Sequence, residues 1–357
     1  MGMQKNMDTD KDRVLHYNAI DKMRMCASFG IIAMHVLANG NYVFPESGFS
    51  GFLSQRLIPS FTDFVFLFMV ISAFGMCCGY YDKMIRGELN LLSFYRKRYA
   101  KIWPFFAALC VLDVIISPGK TAVYELLANL TLCFGLLPNA AISVIGVGWF
   151  IGVIFVFYML FPFFCCLIST KKKAWISFGG AVVFHTLCSS YFLDAEHVTE
   201  GFVARTNFVY CAMFFFAGGL IYLYKDKVTQ LKHRKKIFFI MCILGIIFYY
   251  KVSRSTYILL FLFTFCLIYG IGSSRKKNPF VKFVSGISME MYLCHMAILR
   301  VIEKTGLSMR FGNGWVQYVI NLALTIAGSI LFSITLSYLL RVAGKRLQEI
   351  RGQMEGN

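Results

Sequence analysis

Two ionisable residues in the first apolar stretch have the types and the spacing that a chemical site needs. Arg24 and His35 lie eleven residues apart in IDKMRMCASFGIIAMHVLAN. In an α-helix, eleven steps return to nearly the same face about 16 Å further along the axis. An imidazole can take a proton from a hydroxyl near neutral pH, and a guanidinium can hold a phosphate. We therefore predict a helix that carries a general base, His35, and an anion-binding group, Arg24.

The composition indicates that this helix lies in a membrane. Of the 357 residues, 58% are hydrophobic and 37 are Phe, which is outside the range of soluble domains. The net charge of +18 comes from basic residues in the short loops between apolar stretches, a distribution typical of cytoplasmic loops and not of nucleic-acid-binding proteins. The 12 Cys mostly lie in apolar runs without a metal-binding spacing, so we expect no metal.

Ten apolar stretches predict an all-α membrane bundle of about ten transmembrane helices. They cover residues 23–39, 57–80, 102–117, 147–168, 174–193, 207–224, 237–250, 256–272, 283–302 and 315–340. If both termini are cytoplasmic and 123–137 is an outer or re-entrant segment, most of the 36 Lys and Arg residues fall on the cytoplasmic side. We therefore expect a multi-pass protein of the plasma (inner) membrane. Its parts are a cytoplasmic segment 1–22, a transmembrane domain 23–341 and a cytoplasmic tail 342–357.

Further polar motifs follow along the chain. The stretch FYRKRYAKIWP, residues 94–104, places four cations before the third predicted span. They fit a site for a phosphorylated cofactor, but they also fit an ordinary membrane boundary. The stretch SGISMEMYLCH, residues 285–295, places Tyr292 and His295 on one helix face, while Glu290 points elsewhere. Ionisable groups at membrane depth are costly and usually face a site or a pathway, so Asp63 is a further candidate.

Together and in this order, these residues resemble the acyltransferase-3 family, over about residues 18–341. The family comprises integral membrane enzymes that move acyl groups, commonly acetyl, from acyl-CoA to extracytoplasmic sugars and other hydroxyl acceptors. Four segments carry the resemblance. They are the Arg/Lys-x10-His pair at Arg24 and His35, the R-x-x-R element at 98–101 with Lys101 as its second cation, the FF-x-x-SG-F-like run FLFMVISAF at 66–74, and S-x-x-x-Y-L-x-H at 288–295.

The resemblance implies an acyltransferase that lies in the lipid bilayer and uses acyl-CoA, with acetyl-CoA expected. Its acceptor is expected to be a glycan or another hydroxyl compound. It implies His35 and Arg24 as catalytic residues. The residues expected to bind the cofactor are Arg96, Arg98 and Lys101, and those expected to line the pocket are Asp63, Ser72, Trp149, Glu290, Tyr292 and His295.

One motif departs from the family's pattern. Many peptidoglycan and lipopolysaccharide O-acetylases of the family have W-S-L-x-V-E, whereas this chain has WFIGVI at 149–154, without the acidic residue. The departure points to another branch and leaves the acceptor open. The oligomeric state and the choice between direct transfer and a covalent acyl-enzyme are open as well.

Two other functions remain compatible with the residues. A proton-coupled transporter could use His35, Asp63, Glu290 and His295 as its pathway, although the internal repeat usual in transporters is not visible. A catalytically inactive family member could act as a membrane sensor, but the intact Arg24 and His35 pair argues against this reading.

Overall fold

The computed structural model describes residues 17–137, 145–271, 278–306 and 311–355, and within these ranges it contains helices and turns but no β-strand. The predicted all-α class is therefore confirmed. Most of the predicted N-terminal segment 1–22 lies outside the described residues. The helices are α1 Asn18–Asn39, α2 Gly48–Ile85, α3 Leu91–Ile116, α4 Lys120–Leu130, α5 Trp149–Met159, α6 Phe161–Leu167, α7 Lys171–Leu187, α8 Phe208–Gln230, α9 Arg234–Lys251, α10 Thr256–Ile271, α11 Pro279–Gly286, α12 Ser288–Thr305 and α13 Gly314–Glu355.

Four helices in the described part of the chain are long and apolar enough to cross a membrane. They are α2, α3, α8 and the Gly314–Arg346 part of α13; the bent pair of α5 and α6 makes a fifth if it counts as one span. The other predicted stretches form helices that are shorter or more polar. The protein is thus an all-helical membrane protein, while the number of ten spans and the cytoplasmic location of both termini stay predictions.

Two of the predicted spans are interrupted. Helices α5 and α6 meet at an angle of 60°, and Pro162 lies in the first turn of α6, where proline needs no hydrogen-bond partner. The stretch 283–302 is also two helices, because Ile287 leaves the helical conformation between α11 and α12. This break gives α12 its own first turn at Ser288, next to the beginning of α1.

The segment predicted not to span forms helix α4, which packs against α3. Its 11 residues reach only about 16 Å, roughly half the thickness of the hydrocarbon core. The indole of Trp103 on α3 donates to the carbonyl of Leu130 at the end of α4. A short 3-10 turn, Phe134–Leu136, then packs on α5.

Helix α1 lies among α2, α10, α11, α12 and α13. Gly30 permits its close approach to α2, since a Cβ atom there would lie 2.5 Å from the ring of Phe64. Beside it, stacked rings lock α2 to α8, with Phe66 and Phe214 centred 4.4 Å apart. The helix that carries Arg24 and His35 is therefore fixed on several sides by packed neighbours, which gives both side chains defined positions.

Candidate functional site

Helix α1 places Arg24 in its second turn and His35 one turn before its last residue. Both side chains are partly buried. Polar neighbours on the same helix bond back to the two residues: Ser28 Oγ donates to the Arg24 carbonyl at 2.9 Å and Asn39 Nδ2 to the His35 carbonyl at 2.8 Å. The two residues lie toward opposite ends of α1 and define the Arg24 end and the His35 end of the bundle.

A basic cavity lies at the Arg24 end. It consists of two adjoining spaces of about 90 and 250 Å³. The residues that line both spaces are Arg24, Ser72, Arg98, Lys101 and Tyr158. Three cations from two different helices thus converge on one cavity, which suits a ligand with several negative charges.

Arg98 is the best positioned of these cations. Its Nη2 donates to the hydroxyl of Tyr80 at 2.7 Å, and its guanidinium carbon lies 5.0 Å from the centre of that ring. Its Nε is buried without a hydrogen-bond partner in the described residues. Because an unpartnered buried donor is costly, this N–H is available for a polar ligand.

The structure separates Arg96 from Arg98 and Lys101, the two cations of its motif that line the cavity. On a helix, residues 98 and 101 share a face, whereas residue 96 points about 160° away from residue 98. Accordingly, Arg98 and Lys101 line the cavity, while Arg96 is exposed and is absent from both linings. The helical periodicity of α3 predicts that Arg96 lies on another face than Arg98 and Lys101. The sequence analysis grouped these cations because they are close together in the chain.

Helices α11 and α12 line one side of the basic cavity. Ser285 Oγ donates to Asp21 Oδ1 at 2.8 Å, which ties the end of α11 to the beginning of α1. Ser288 and Tyr292, four residues apart on α12, both line the cavity, together with Phe150 on α5. The hydroxyl of Tyr292 donates to the carbonyl of Val147 at 2.8 Å.

A pair of histidines lies beyond Tyr292. The rings of His35 and His295 are centred 5.1 Å apart, and the Tyr292 ring lies 5.9 Å from that of His295. His295 is fully buried; its Nδ1 lies 2.7 Å from the Tyr292 carbonyl, and its Nε2 has no partner in the described residues. The first motif and the last motif therefore meet at the His35 end, with neither imidazole in the lining of the basic cavity.

The remaining predicted pocket residues divide between the two ends. Asp63 lies in the part of α2 that is near the His35 end. Its carboxylate accepts a hydrogen bond of 2.6 Å from the Tyr249 hydroxyl. Glu290 has a buried Oε2 without a hydrogen-bond partner in the described part of the chain, and Lys101 acts on it electrostatically. It does not line the basic cavity. Trp149 lies at the start of α5, beside a cation that the sequence interpretation missed.

That cation is Arg205, in the short turn Ala204–Thr206 before α8. Its Nη1 donates to Thr62 Oγ1 at 2.8 Å, and its guanidinium carbon lies 5.5 Å from the centre of the Trp149 ring. It also acts electrostatically on His35. No motif marks Arg205 in the sequence, because it stands alone in a polar loop and reaches its neighbours only through the fold.

Comparison with known proteins supports the family suggested by these motifs. A model of the family described as an acyltransferase domain, the acyltransferase-3 family, matches residues 17–334, nearly the whole chain. No curated protein and no solved structure shows a significant match. The matched range covers α1 through the first half of α13, and it contains the residues of both the basic cavity and the histidine pair. The chain therefore belongs to the acyltransferase-3 family and is a membrane acyltransferase.

Proposed function

We propose that this protein moves an acyl group, with acetyl expected, from cytoplasmic acyl-CoA to a hydroxyl of an extracytoplasmic or membrane-associated carbohydrate. The observation that carries the proposal is the distribution of groups along α1. One helix holds Arg24 in a cavity with three cations and, about 16 Å further on, His35 against His295. A donor with charged phosphates and an acceptor with a hydroxyl can then bind at opposite ends of one site.

The basic cavity suits the donor. The phosphates of CoA are multiply charged, and Arg24, Arg98 and Lys101 offer them three cations. Guanidinium groups bind phosphate oxygens through paired hydrogen bonds, and an ammonium group adds a point charge. The apolar part of the lining, which includes Phe150, suits the uncharged arm that leads to the thioester. Arg96 lines neither space of the basic cavity, so its part in cofactor binding stays a prediction.

The histidine pair suits proton transfer. His35 would take the proton of the acceptor hydroxyl while the oxygen attacks the thioester carbonyl. The new C–O bond forms, the C–S bond breaks, and the protonated His35 returns its proton to the sulfur, so that CoA leaves as the thiol. His295 lies close enough to fix the orientation of the His35 ring. General-base help of this kind contributes typically about 10²–10⁴-fold, so the positioning of the two substrates must supply much of the remaining acceleration.

The proposal requires Tyr292 to move. In the described conformation this residue lines the basic cavity and contacts His295, and its hydroxyl donates to the Val147 carbonyl. The thioester has to pass the ring to approach the imidazoles. We therefore expect the Tyr292 side chain to change rotamer when the donor binds.

The proposed membrane orientation places the Arg24 end in the cytoplasm, with ten spans and both termini inside. It is supported by the basic residues near that end. Tyr81 at the end of α2 bonds to the Ile168 carbonyl, which brings Lys83 and the Lys171–Lys173 run to the same side of the bundle as Arg24. Clusters of Lys and Arg in short loops favour the cytoplasm.

Proteoliposomes test the function directly. Purified protein would be reconstituted with acetyl-labelled acetyl-CoA on the side of the Arg24 end and an oligosaccharide acceptor on the other side. We expect labelled ester on the acceptor, independent of any pH gradient. Proton-driven uptake of a solute without ester formation would contradict the proposal and favour the transporter. Mass spectrometry of surface glycans from cells with and without the protein would then identify the acceptor and the acyl group.

A further inference from the structure

Arg205 is held in a fixed position at the His35 end. The Cys211 thiol lies 3.2 Å from the Arg205 carbonyl, and the Asn207 side chain caps α8 by accepting from Val209 and Tyr210. These bonds anchor the turn. The side chain is held separately, by the hydrogen bond of Nη1 to Thr62 and by the face of a tryptophan ring. A side chain with both restraints loses little conformational entropy when it binds a ligand.

A second feature of Arg205 is the state of its charge. Within the described ranges, no Asp or Glu forms a salt bridge with it. Asp63 is near enough to act on Arg205 electrostatically, and one oxygen of its carboxylate also accepts from Tyr249. The guanidinium is partly buried, and apart from Nη1 its N–H groups have no described partner. A guanidinium in this state has both charge and donors to offer.

Arg205 also lies within electrostatic range of the proposed reacting groups. It acts on His35 and on Tyr292, the two side chains on either side of the proposed transfer point. The indole of Trp149 lies beside the guanidinium, and an aromatic surface next to a cation is one on which a sugar ring can pack. A ligand whose anionic group reached Arg205 would therefore have its neighbouring hydroxyls near the histidine pair.

We propose that Arg205 binds an oxyanion of the acceptor, so that the acceptor is a hydroxyl compound that carries a carboxylate or a phosphate ester. The assignment rests on the proposed function for the identity of the site, and it adds the charge class of the substrate. The planar fork of arginine pairs with either anion through two parallel hydrogen bonds, which lysine cannot make. Such charge-assisted bonds are worth about 1.5–3 kcal/mol each, or about 10- to 150-fold in affinity.

The test is a binding measurement with three sugars that differ in charge. Full-length protein in detergent would be titrated with glucuronic acid, glucose 6-phosphate and glucose, and the dissociation constants compared. We expect at least one of the two anionic sugars to bind about tenfold or more tightly than glucose. The stronger arm tells carboxylate from phosphate. In Arg205→Gln this preference disappears; in Arg205→Lys it is reduced; in the control Arg56→Gln, an exposed arginine on α2, it is unchanged.

Two outcomes would overturn the inference: no preference for either anion in the wild-type protein, or an undiminished preference in Arg205→Gln. Binding of desulfo-CoA at the Arg24 end serves as the check on folding and on the proposed function. If desulfo-CoA binds normally and neither anionic sugar is preferred, the inference fails while the proposed function stands. If desulfo-CoA does not bind but anionic sugars are preferred through Arg205, the proposed function fails and the anion site stands. Should Arg205→Gln not fold, Arg205→Lys decides through its reduced preference.

Discussion

Removal of Arg98 is expected to weaken CoA binding, and removal of Arg96 is expected to leave it unchanged. The two arginines are two residues apart on α3 and belong to the same basic motif. Only Arg98 lines the cavity, where its Nη2 bonds to Tyr80 and its Nε is buried without a described partner. Arg98→Ala and Arg96→Ala therefore each remove one positive charge from the same helix, but from different positions.

The size of the effect follows from the contacts that Arg98 can offer. A hydrogen bond to a charged group contributes about 1.5–3 kcal/mol, and every 1.4 kcal/mol is about tenfold in affinity. One lost guanidinium–phosphate contact therefore predicts about 10- to 150-fold weaker binding. The exposed Arg96 is expected to contribute less than about threefold, since solvent and salt screen its charge.

Isothermal titration with desulfo-CoA measures these affinities without turnover. The thermal midpoint of each variant without ligand shows whether the protein remains folded, and Arg98→Lys serves as a second variant that keeps the charge but loses the fork. Raising the salt concentration should reduce affinity more in the wild-type protein than in Arg98→Ala. Equal weakening by Arg96→Ala and Arg98→Ala would refute the location of the donor phosphates.

Three further substitutions test other parts of the structure. His295→Asn should lower kcat at least about tenfold with little change in the KM for acetyl-CoA, because it acts on the imidazole pair and not on the donor cavity; a raised KM with normal kcat would contradict this role. Gly152→Ala should cost about 1–3 kcal/mol of stability, since its Cβ would lie 2.7 Å from a phenylalanine ring. Gly79→Ala is the control, because a Cβ there meets nothing within 4 Å. Equal thermal midpoints of the two variants would count against this packing. Ser285→Ala should cost about 1–3 kcal/mol by removing the donor to the buried Asp21, measured as a lower thermal midpoint; an unchanged midpoint would count against that bond.

Local periodicity was sufficient to predict much of this structure. The helix that carries Arg24 and His35 and the non-spanning character of 123–137 follow from spacing and charge, which are local or additive along the chain. The common face of Tyr292 and His295 is likewise a property of one helix, and the structure places both on one side of α12.

Contacts between distant segments could not be predicted in the same way. The 5.1 Å contact of His35 with His295 joins residues 260 positions apart, and it depends on how α1 packs against α12. Arg205 reaches Thr62 across 143 positions from a loop without a motif. The interruption at Ile287 replaces a continuous apolar pattern, because the polar contacts of Ser285 and Ser288 favour a separate helix start.

The central claim is that His35 takes the acceptor's proton, and one rate comparison tests it most directly. Labelled acetyl transfer from acetyl-CoA to glycan would be measured in proteoliposomes for the wild-type protein, for His35→Ala, and for His197→Ala as a control in an exposed loop. We predict a fall of about 10²–10⁴-fold for His35→Ala, with unchanged affinity for desulfo-CoA, and a normal rate for His197→Ala. Transfer at the wild-type rate by His35→Ala would contradict the account.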